Sequence, residues 1–194
     1  MKLKGKKLKR NFYLRPTLAV AESLLGKTIV FHHSRGLLAG DIVEVEAYIG
    51  ENDPACHAAP GRTRRNAIMY EVGGHSYIYF IYGMYNCFNI VTEREGFPAA
   101  VLIRAAAPVA GQEIMAANSP LNSKRLTNGP GKFCRAFGFT RQHNGLDLTG
   151  DQLYLIDRGN VLTSIKVSPR IGINKAKNRL WRFYDADSDC ISRK

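Results

Sequence analysis

The run of residues 77–90 constrains the fold of this chain more than any other stretch. Aromatic and β-branched side chains stand on both sides of a single Gly83. This pattern predicts two antiparallel strands joined by a tight turn, because glycine reaches backbone conformations that other residues avoid. The predicted tip is unusually apolar, since it presents Tyr82, Met84 and Tyr85. Taken alone, such rings most often fold back into a core; the alternative is that they contact a partner outside the protein.

The charge of the chain indicates which partners are suitable. Its 194 residues include 28 Lys and Arg against 16 Asp and Glu, for a net charge of +12. This excess favours a polyanion, most simply DNA or RNA, although an acidic membrane surface fits the charge equally well. Apolar side chains at a hairpin tip can also insert between stacked bases. No apolar run approaches the length of a membrane-spanning helix and no secretory signal is visible, so we expect a soluble, cytosolic protein.

The cysteines give no sign of a metal site or a disulfide framework. The four are widely spaced and contain no CxxC pair, so neither a zinc ribbon nor a set of disulfides is predicted. Cys56 and His57 could supply two metal ligands, but no second pair accompanies them. We expect reduced and mostly buried thiols.

The length suits one domain with a substantial core. Lysines and arginines dominate residues 1–11, which we expect to form a mobile basic arm ahead of a single domain at 12–194. Local patterns predict a helix over 17–25 capped by Thr17 and a helix through Phe137 capped by Asn128. They also predict a helix over 111–118, strands at 27–32, 37–48, 153–157 and 164–167, and a short aromatic element at 181–184.

The strand predicted over 37–48 contains an unusual pattern of carboxylates. Glu44, Glu46 and Tyr48 alternate with small apolar residues and so would share one face. On periodicity alone, a solvated acidic face at a sheet edge is the commoner explanation. The functional alternative is a carboxylate placed beside an aromatic ring. Arg104 ends another apolar strand and must find a partner because it keeps its charge, and Glu44 and Glu46 are the natural candidates.

Two further segments could contact phosphates. The long irregular segment 49–69 contains His57 and three arginines, and loops of this length are often binding elements. A solvated surface cluster is nearly as good an explanation for Arg62, Arg64 and Arg65. The start of the helix after Asn128, with Lys132 nearby, could hold a phosphate through free N–H groups. It could equally be an ordinary helix start.

Several of these motifs occur together in a known family. The set comprises Glu46-Ala47-Tyr48, His57, the run 79–85 with Asn89, Arg104 and the segment 128–132. Together these motifs resemble the alkyladenine (3-methyladenine) DNA glycosylase family. The resemblance extends from about Phe12 to the C-terminus, in the same order and with closely similar spacing. It departs in the loop between His57 and Met69, which is slightly shorter than in the family. The resemblance therefore does not assign phosphate contacts to individual arginines of this loop.

The resemblance implies a fold, a reaction and a set of partners. The fold would be a single α+β domain on a curved antiparallel sheet, with a protruding β-hairpin and flanking helices. The reaction would be the hydrolysis of the N-glycosidic bond of alkylated or deaminated purines by a monofunctional DNA glycosylase, which starts base excision repair. Such a protein uses no metal and no other cofactor. It would act as a monomer on double-stranded DNA containing damaged purines, in the cytoplasm or, in a bacterium, at the nucleoid.

The resemblance also implies residue roles. Glu46 would be the general base that activates water, held by Arg104. The pocket for the flipped base would be formed by Tyr48, His57, Tyr79 and Asn89, the last against the purine edge. The DNA-intercalating side chain would be Tyr82, flanked by Met84 and Tyr85.

The chemistry of the residues agrees with these roles. A base inside a duplex must be flipped out before its glycosidic bond can be attacked. An alkylated purine is a cation that tyrosine faces attract, and a carboxylate stabilises the oxocarbenium character of the breaking bond. One rival is a non-catalytic binder of single-stranded or structured nucleic acid that uses the same tyrosines for stacking. Another is an accessory domain of formyltransferase type that binds tRNA.

Overall fold

The strands and helices cover most of the chain. The structure, a computed structural model, describes residues 3–120 and 125–193. In chain order the elements are β1 (Lys6–Lys7), α1 (Arg10–Tyr13), α2 (Thr17–Leu24), β2 (Thr28–His33), β3 (Gly36–Ile49), β4 (Ser76–Ile81), β5 (Tyr85–Val91), β6 (Ala99–Ala110), α3 (Gln112–Ala117), α4 (Pro130–Phe137), β7 (Leu153–Asp157), β8 (Ile165–Ser168) and β9 (Arg182–Asp185). The strands predicted at 27–32, 37–48, 153–157 and 164–167 and the helix over 111–118 are confirmed to within about two residues. The strand expected to end at Arg104 instead continues to Ala110, so that Arg104 lies in its interior.

The strands form one antiparallel sheet in the order β1-β7-β2-β3-β6-β5-β4, and β9 joins β8 to β3. The predicted α+β fold is therefore confirmed. β4 and β5 form the hairpin at one edge. β3 lies at the centre, because β6 pairs along one side of it while β2 and then β9 pair along the other. The part of β3 that carries Glu44 and Glu46 is thus not a sheet edge.

The helices and the sheet share one main hydrophobic core. α4 buries Phe133 and Phe137, which pack with Phe88 of β5 and with Phe139 after the helix. Burying each such ring stabilises the fold by roughly 1.5–3 kcal/mol. This packing fixes the N-terminus of α4 beside the hairpin.

Both predicted helix caps are wrong. Thr17 is the first residue of α2 and Pro16 precedes it. The Thr17 hydroxyl instead donates to Glu93 at 2.7 Å, so a tertiary partner replaces the local cap. At α4 the cap position belongs to Gly129, and Pro130 opens the helix with the φ angle that this position favours.

Within the predicted basic arm over residues 1–11, residues 6–10 pack against the rest of the chain and do not form a mobile arm. Lys6 and Lys7 form β1 and pair with β7. Leu8 is buried, and Arg10 lies 2.6 Å from Asp147. The high charge of this segment gives no sign that Leu8 is buried or that two of its basic side chains form ion pairs. The second pair joins Lys7 to Asp151. No helix in the described residues is long and apolar enough to cross a membrane.

Candidate active site

A cluster of buried charges lies where β3 meets β6. The register of these strands shifts at three points, and the two shifts beside the cluster leave Val43 on β3 and Arg104 on β6 out of the pairing. Such irregularities redirect side chains. The Arg104 guanidinium reaches two carboxylates of β3, with Nε 2.9 Å from Glu44 and Nη1 3.2 Å from Glu46. Both carboxylates are fully buried, and the expectation of a solvated acidic edge is therefore wrong.

Glu44 links the cluster to β9 and to the C-terminal residues. It also accepts hydrogen bonds from Arg182 at 2.8 Å and from both the N–H and the hydroxyl of Ser192. Burial raises the pKa of Glu44, but Arg104, Ser192 and Arg182 outweigh it and leave the pKa lowered. Burial likewise lowers the pKa of Arg104, and Glu46 and Glu44 outweigh it and raise that pKa. Both groups therefore stay charged, as a buried pair must to offset its desolvation.

Glu46 is held from three directions. One of its oxygens accepts from the Tyr48 hydroxyl at 2.8 Å, and the other accepts from the Ile171 N–H at 2.7 Å and faces Arg104. Hydrogen bonds to a charged acceptor are stronger than neutral ones. The carboxylate therefore has a fixed orientation, directly behind two side chains, Tyr48 and Arg104, that line a cavity.

This cavity has a volume of about 630 Å³, which is within the usual size of small-molecule sites, roughly 300–1,000 Å³. It is surrounded by the end of β3, the β4–β5 hairpin, β6, the start of α4 and the two loops that contain His57 and Ile171. Its lining includes Tyr48, His57, Tyr77, Tyr79, Tyr82, Tyr85, Asn89, Arg104, Gly131 and Lys132.

The aromatic walls are neutral. The rings of His57 and Tyr79 are 4.4 Å apart at 72°, and those of Tyr77 and Tyr79 are 5.4 Å apart. Burial, followed by the charge of Arg65, lowers the pKa of His57 to about 4. Burial is also the main cause that raises the pKa of Tyr48, Tyr77 and Tyr79. At neutral pH these groups are uncharged flat surfaces on which a base could stack.

Asn89 lies opposite Tyr77 in the hairpin register and is 3% exposed. Its side-chain N–H₂ donates to the Tyr77 carbonyl at 3.0 Å. The structure therefore brings the four residues expected around the base, together with Arg104, to one cavity.

The tip of the hairpin extends away from the core. Tyr82 is 77% exposed, Met84 is 60% exposed and Tyr85 is 38% exposed. The prediction that these rings fold back is wrong for the tip, although Tyr77 and Phe88 lower in the hairpin are buried. Tyr82 and Gly83 have φ angles of 55° and 67°, which matches the twist of a two-stranded hairpin.

The predicted phosphate-contacting residues are dispersed. Lys132 lines the cavity and donates to Asn128 at 2.9 Å. The Arg65 guanidinium lies 5.2 Å from the centre of the Tyr79 ring. Arg62 is 3.7 Å from Glu71, and Arg64 is exposed with no ion-pair partner among residues 3–120 and 125–193. In those same residues no group of three His, Cys, Asp or Glu side chains could hold a metal ion.

Sequence reasoning missed three contributors to the site. Tyr77 shares a strand face with Tyr79, a period-2 signal that could have revealed it. No such signal exists for the Ile171 N–H or for the buried ion pair of Asp53 with Arg170, in which Oδ2 and Nη1 are 2.6 Å apart. More than a hundred residues separate each of these groups from its partner, and only tertiary folding joins them.

Comparison of the sequence with known proteins identifies its family. The profile of the family described as Methylpurine-DNA glycosylase (MPG) matches residues 11–189. A protein of Methanocella arvoryzae is 50% identical over 192 residues, which cover 96% of each chain. A protein of Clostridium novyi is 46% identical over 202 residues, which cover 97% of this chain and all of the relative. Both relatives carry the name "Putative 3-methyladenine DNA glycosylase". The chain therefore belongs to the methylpurine-DNA glycosylase family and is a DNA glycosylase, a hydrolase of N-glycosyl bonds.

Proposed function

We propose that this glycosylase flips alkylated or deaminated purines out of duplex DNA and cleaves them from the sugar with an activated water, and so starts base excision repair. The observation that carries the proposal is the fixed Glu46 carboxylate directly behind the wall of an aromatic cavity, beside an exposed apolar hairpin tip. The names of the relatives support 3-methyladenine as one substrate.

The cavity suits a flat purine. Tyr48, His57 and Tyr79 offer neutral ring surfaces, and electron-rich tyrosine faces attract a cation more than a neutral base. A purine alkylated at N3 or N7 is such a cation, and the damage itself thus favours binding. Asn89 would lie against the purine edge and clash with the exocyclic amine of guanine. This contact would exclude normal guanine.

The reaction needs a base for water but no covalent enzyme intermediate. Glu46 would take a proton from the water as its oxygen bonds to C1′ of the sugar, and the electrons of the glycosidic bond would leave with the base. The carboxylate would also stabilise the positive charge that develops on the sugar. Arg104 would hold Glu46 in place. An alkylated base already carries the charge that makes it a good leaving group.

The hairpin tip and the nearby cations would hold the DNA. Tyr82 would occupy the space left by the flipped nucleotide, with Met84 and Tyr85 beside it in the groove. Filling this space offsets the few kcal/mol that unstacking costs. Arg62, Arg64, Arg65 and Lys132 would contact phosphates. We expect the protein to act as a monomer in the cytoplasm, or at the nucleoid if the source is bacterial.

The direct test is the release of free base from a duplex that contains one 3-methyladenine. We expect wild-type protein to release it, and Glu46→Gln to lose about 10²–10⁴-fold in single-turnover rate, the usual contribution of a general base. Binding of damaged DNA should change little, because the amide keeps the size of the carboxylate. Glu51→Gln is the matched control, since Glu51 is exposed and contacts Tyr70 outside the cavity.

Two results would contradict the proposal. If wild-type protein binds the duplex but releases no base, the protein is a nucleic-acid binder without this activity. If borohydride traps a covalent adduct of enzyme and DNA, an amine rather than water attacks the sugar.

A further inference from the structure

A second buried ion pair, Arg170 with Asp53, lies beside Tyr48, and neither of its residues lines the cavity. Arg170 and Asp53 make two hydrogen bonds, of 2.6 and 2.8 Å, and neither side chain is exposed to solvent. A buried pair offsets its desolvation only when its geometry is good. Replacing a buried ion pair with apolar residues is often neutral for stability. Stability alone therefore does not explain why a charged pair occupies this position.

Arg170 contacts the strand segment that carries the catalytic groups. Its Nη1 donates to the Ala47 carbonyl at 2.9 Å, and Ala47 is the residue between Glu46 and Tyr48. Its guanidinium lies 4.6 Å from the centre of the Tyr48 ring and 5.0 Å from that of Trp181. One side chain therefore supports both the backbone of β3 and the ring that forms the cavity wall.

Arg170 also fixes the loop that follows β8. The next residue, Ile171, donates its N–H to Glu46 at 2.7 Å, and residues 171–175 line the cavity. The loop can keep this N–H in place only if it stays against β3. The bidentate contact with Asp53 supplies the anchor, because a planar guanidinium pairs with a carboxylate in one geometry.

We propose that Arg170, locked by Asp53, is a positioning residue that holds the Glu46 carboxylate and the Tyr48 ring in the geometry needed for base excision. The proposal rests on the proposed function above. Arg170 itself touches neither the base nor the water, and it acts through Ala47, Tyr48 and the Ile171 N–H. Small displacements of reacting groups are costly, since about 1 Å can reduce a rate on the order of 10²-fold.

The test compares single-turnover excision with DNA affinity in two variants. Arg170→Lys keeps the charge but loses the planar, bidentate contact. The double variant Arg170→Gln/Asp53→Asn removes both charges, so that no unpaired charge is buried. In both we expect the excision rate to fall by about 10–100-fold, while the Kd for a duplex with a stable abasic analogue stays within about threefold.

Arg179→Gln is the matched control. Arg179 also approaches Asp53, at 3.5 Å, and lies over Trp181, but its side chain is one-third exposed and its charge contacts neither Tyr48 nor Ala47. The Arg179→Gln substitution removes one positive charge from the same region. We expect its excision rate to stay within twofold of wild type, which separates positioning from a loss of charge near DNA.

The outcomes separate this proposal from the proposed function. If wild type releases no base, the proposed function fails first. If wild type is active and the folded double variant is equally fast, Arg170 does not position the site. An equal loss of rate and affinity, or a failure of both variants to show the native near-ultraviolet circular dichroism, would make the pair purely structural and also overturn the proposal.

Discussion

At the scale of single residues, Tyr82 has a backbone conformation that does not suit its side chain. Its φ of 55° lies in the left-handed region, which is uncommon for residues other than glycine and costs about 1–2 kcal/mol. The residue is 77% exposed, so packing within the protein does not offset the cost. Such strain at an exposed apolar side chain is consistent with a role in binding rather than in stability.

We predict that Tyr82→Asn makes the protein more stable and a poorer enzyme. Asn adopts the left-handed region more readily, and the free energy of unfolding should rise by about 0.5–1 kcal/mol in urea titrations. Capture of the flipped state, followed by 2-aminopurine fluorescence, should weaken several-fold. Tyr82→Phe is the control, since it keeps both ring and strain. Unchanged fluorescence in Tyr82→Asn would show that the ring does not insert.

His57 should make the stability of the folded protein depend on pH. Its pKa is lowered to about 4 in the folded protein, first by burial and then by Arg65, from 6.5. Between pH 6.5 and 4 the unfolded chain therefore binds a proton that the folded protein does not, and stability falls as the pH falls through this window. His57→Gln should make the decrease in unfolding free energy from pH 7 to pH 5 smaller.

His143 contributes to the same decrease, because burial lowers its pKa as well. Urea unfolding at the two pH values should thus show a reduced pH dependence in His57→Gln, but not a complete loss. Equal pH dependence in wild type and variant would mean that His57 is accessible and protonates normally.

At the scale of elements, the site depends on how closely α4 approaches the hairpin. A Cβ on Gly131 would lie 2.7 Å from Cδ1 of Tyr85, well inside normal contact. A residue without a Cβ is therefore needed at position 131, because Tyr85 of β5 packs so closely against it. The sequence predicted both elements, and the common core of Phe88 and Phe133 brings them together.

Gly131→Ala should consequently displace Tyr85 and weaken the affinity for damaged duplex several-fold. Alanine favours a helix over glycine by up to about 1 kcal/mol, so the steric effect opposes an intrinsic gain. In a Tyr85→Ala background the same change should leave affinity unaltered and raise stability. A double-mutant cycle measures this coupling, and a coupling energy near zero would contradict the close packing.

At the scale of the whole molecule, positive charge is widely distributed but only part of it lies near the cavity. Arg158, after β7, pairs with Asp41 at 3.4 Å toward the opposite end of the sheet from the hairpin. Arg65 and Lys132 border the cavity or its aromatic wall. Net charge alone therefore predicts the kind of partner better than the binding face.

We predict that Arg64→Ala weakens binding to damaged and undamaged duplexes equally. A phosphate contact carries no sequence information, and its loss should reduce the slope of log K against log salt by about 0.9. Fluorescence anisotropy between 50 and 200 mM salt measures this slope. Arg158→Ala removes the same charge far from the hairpin and should leave the slope unchanged. If both variants behave alike, Arg64 contributes only to the general field.

The sequence by itself determined the hairpin and most strands, because these follow from local periodicity. The grouping of the site residues followed from the resemblance of their motifs to a known family. The tertiary structure decided what the charges do. It placed Glu44 and Glu46 in the sheet centre rather than at an edge, redirected Arg104 through a register shift, and brought Arg170 and the Ile171 N–H to β3. No local pattern encodes such contacts, since the energy of a buried charge depends on partners that only the folded chain supplies.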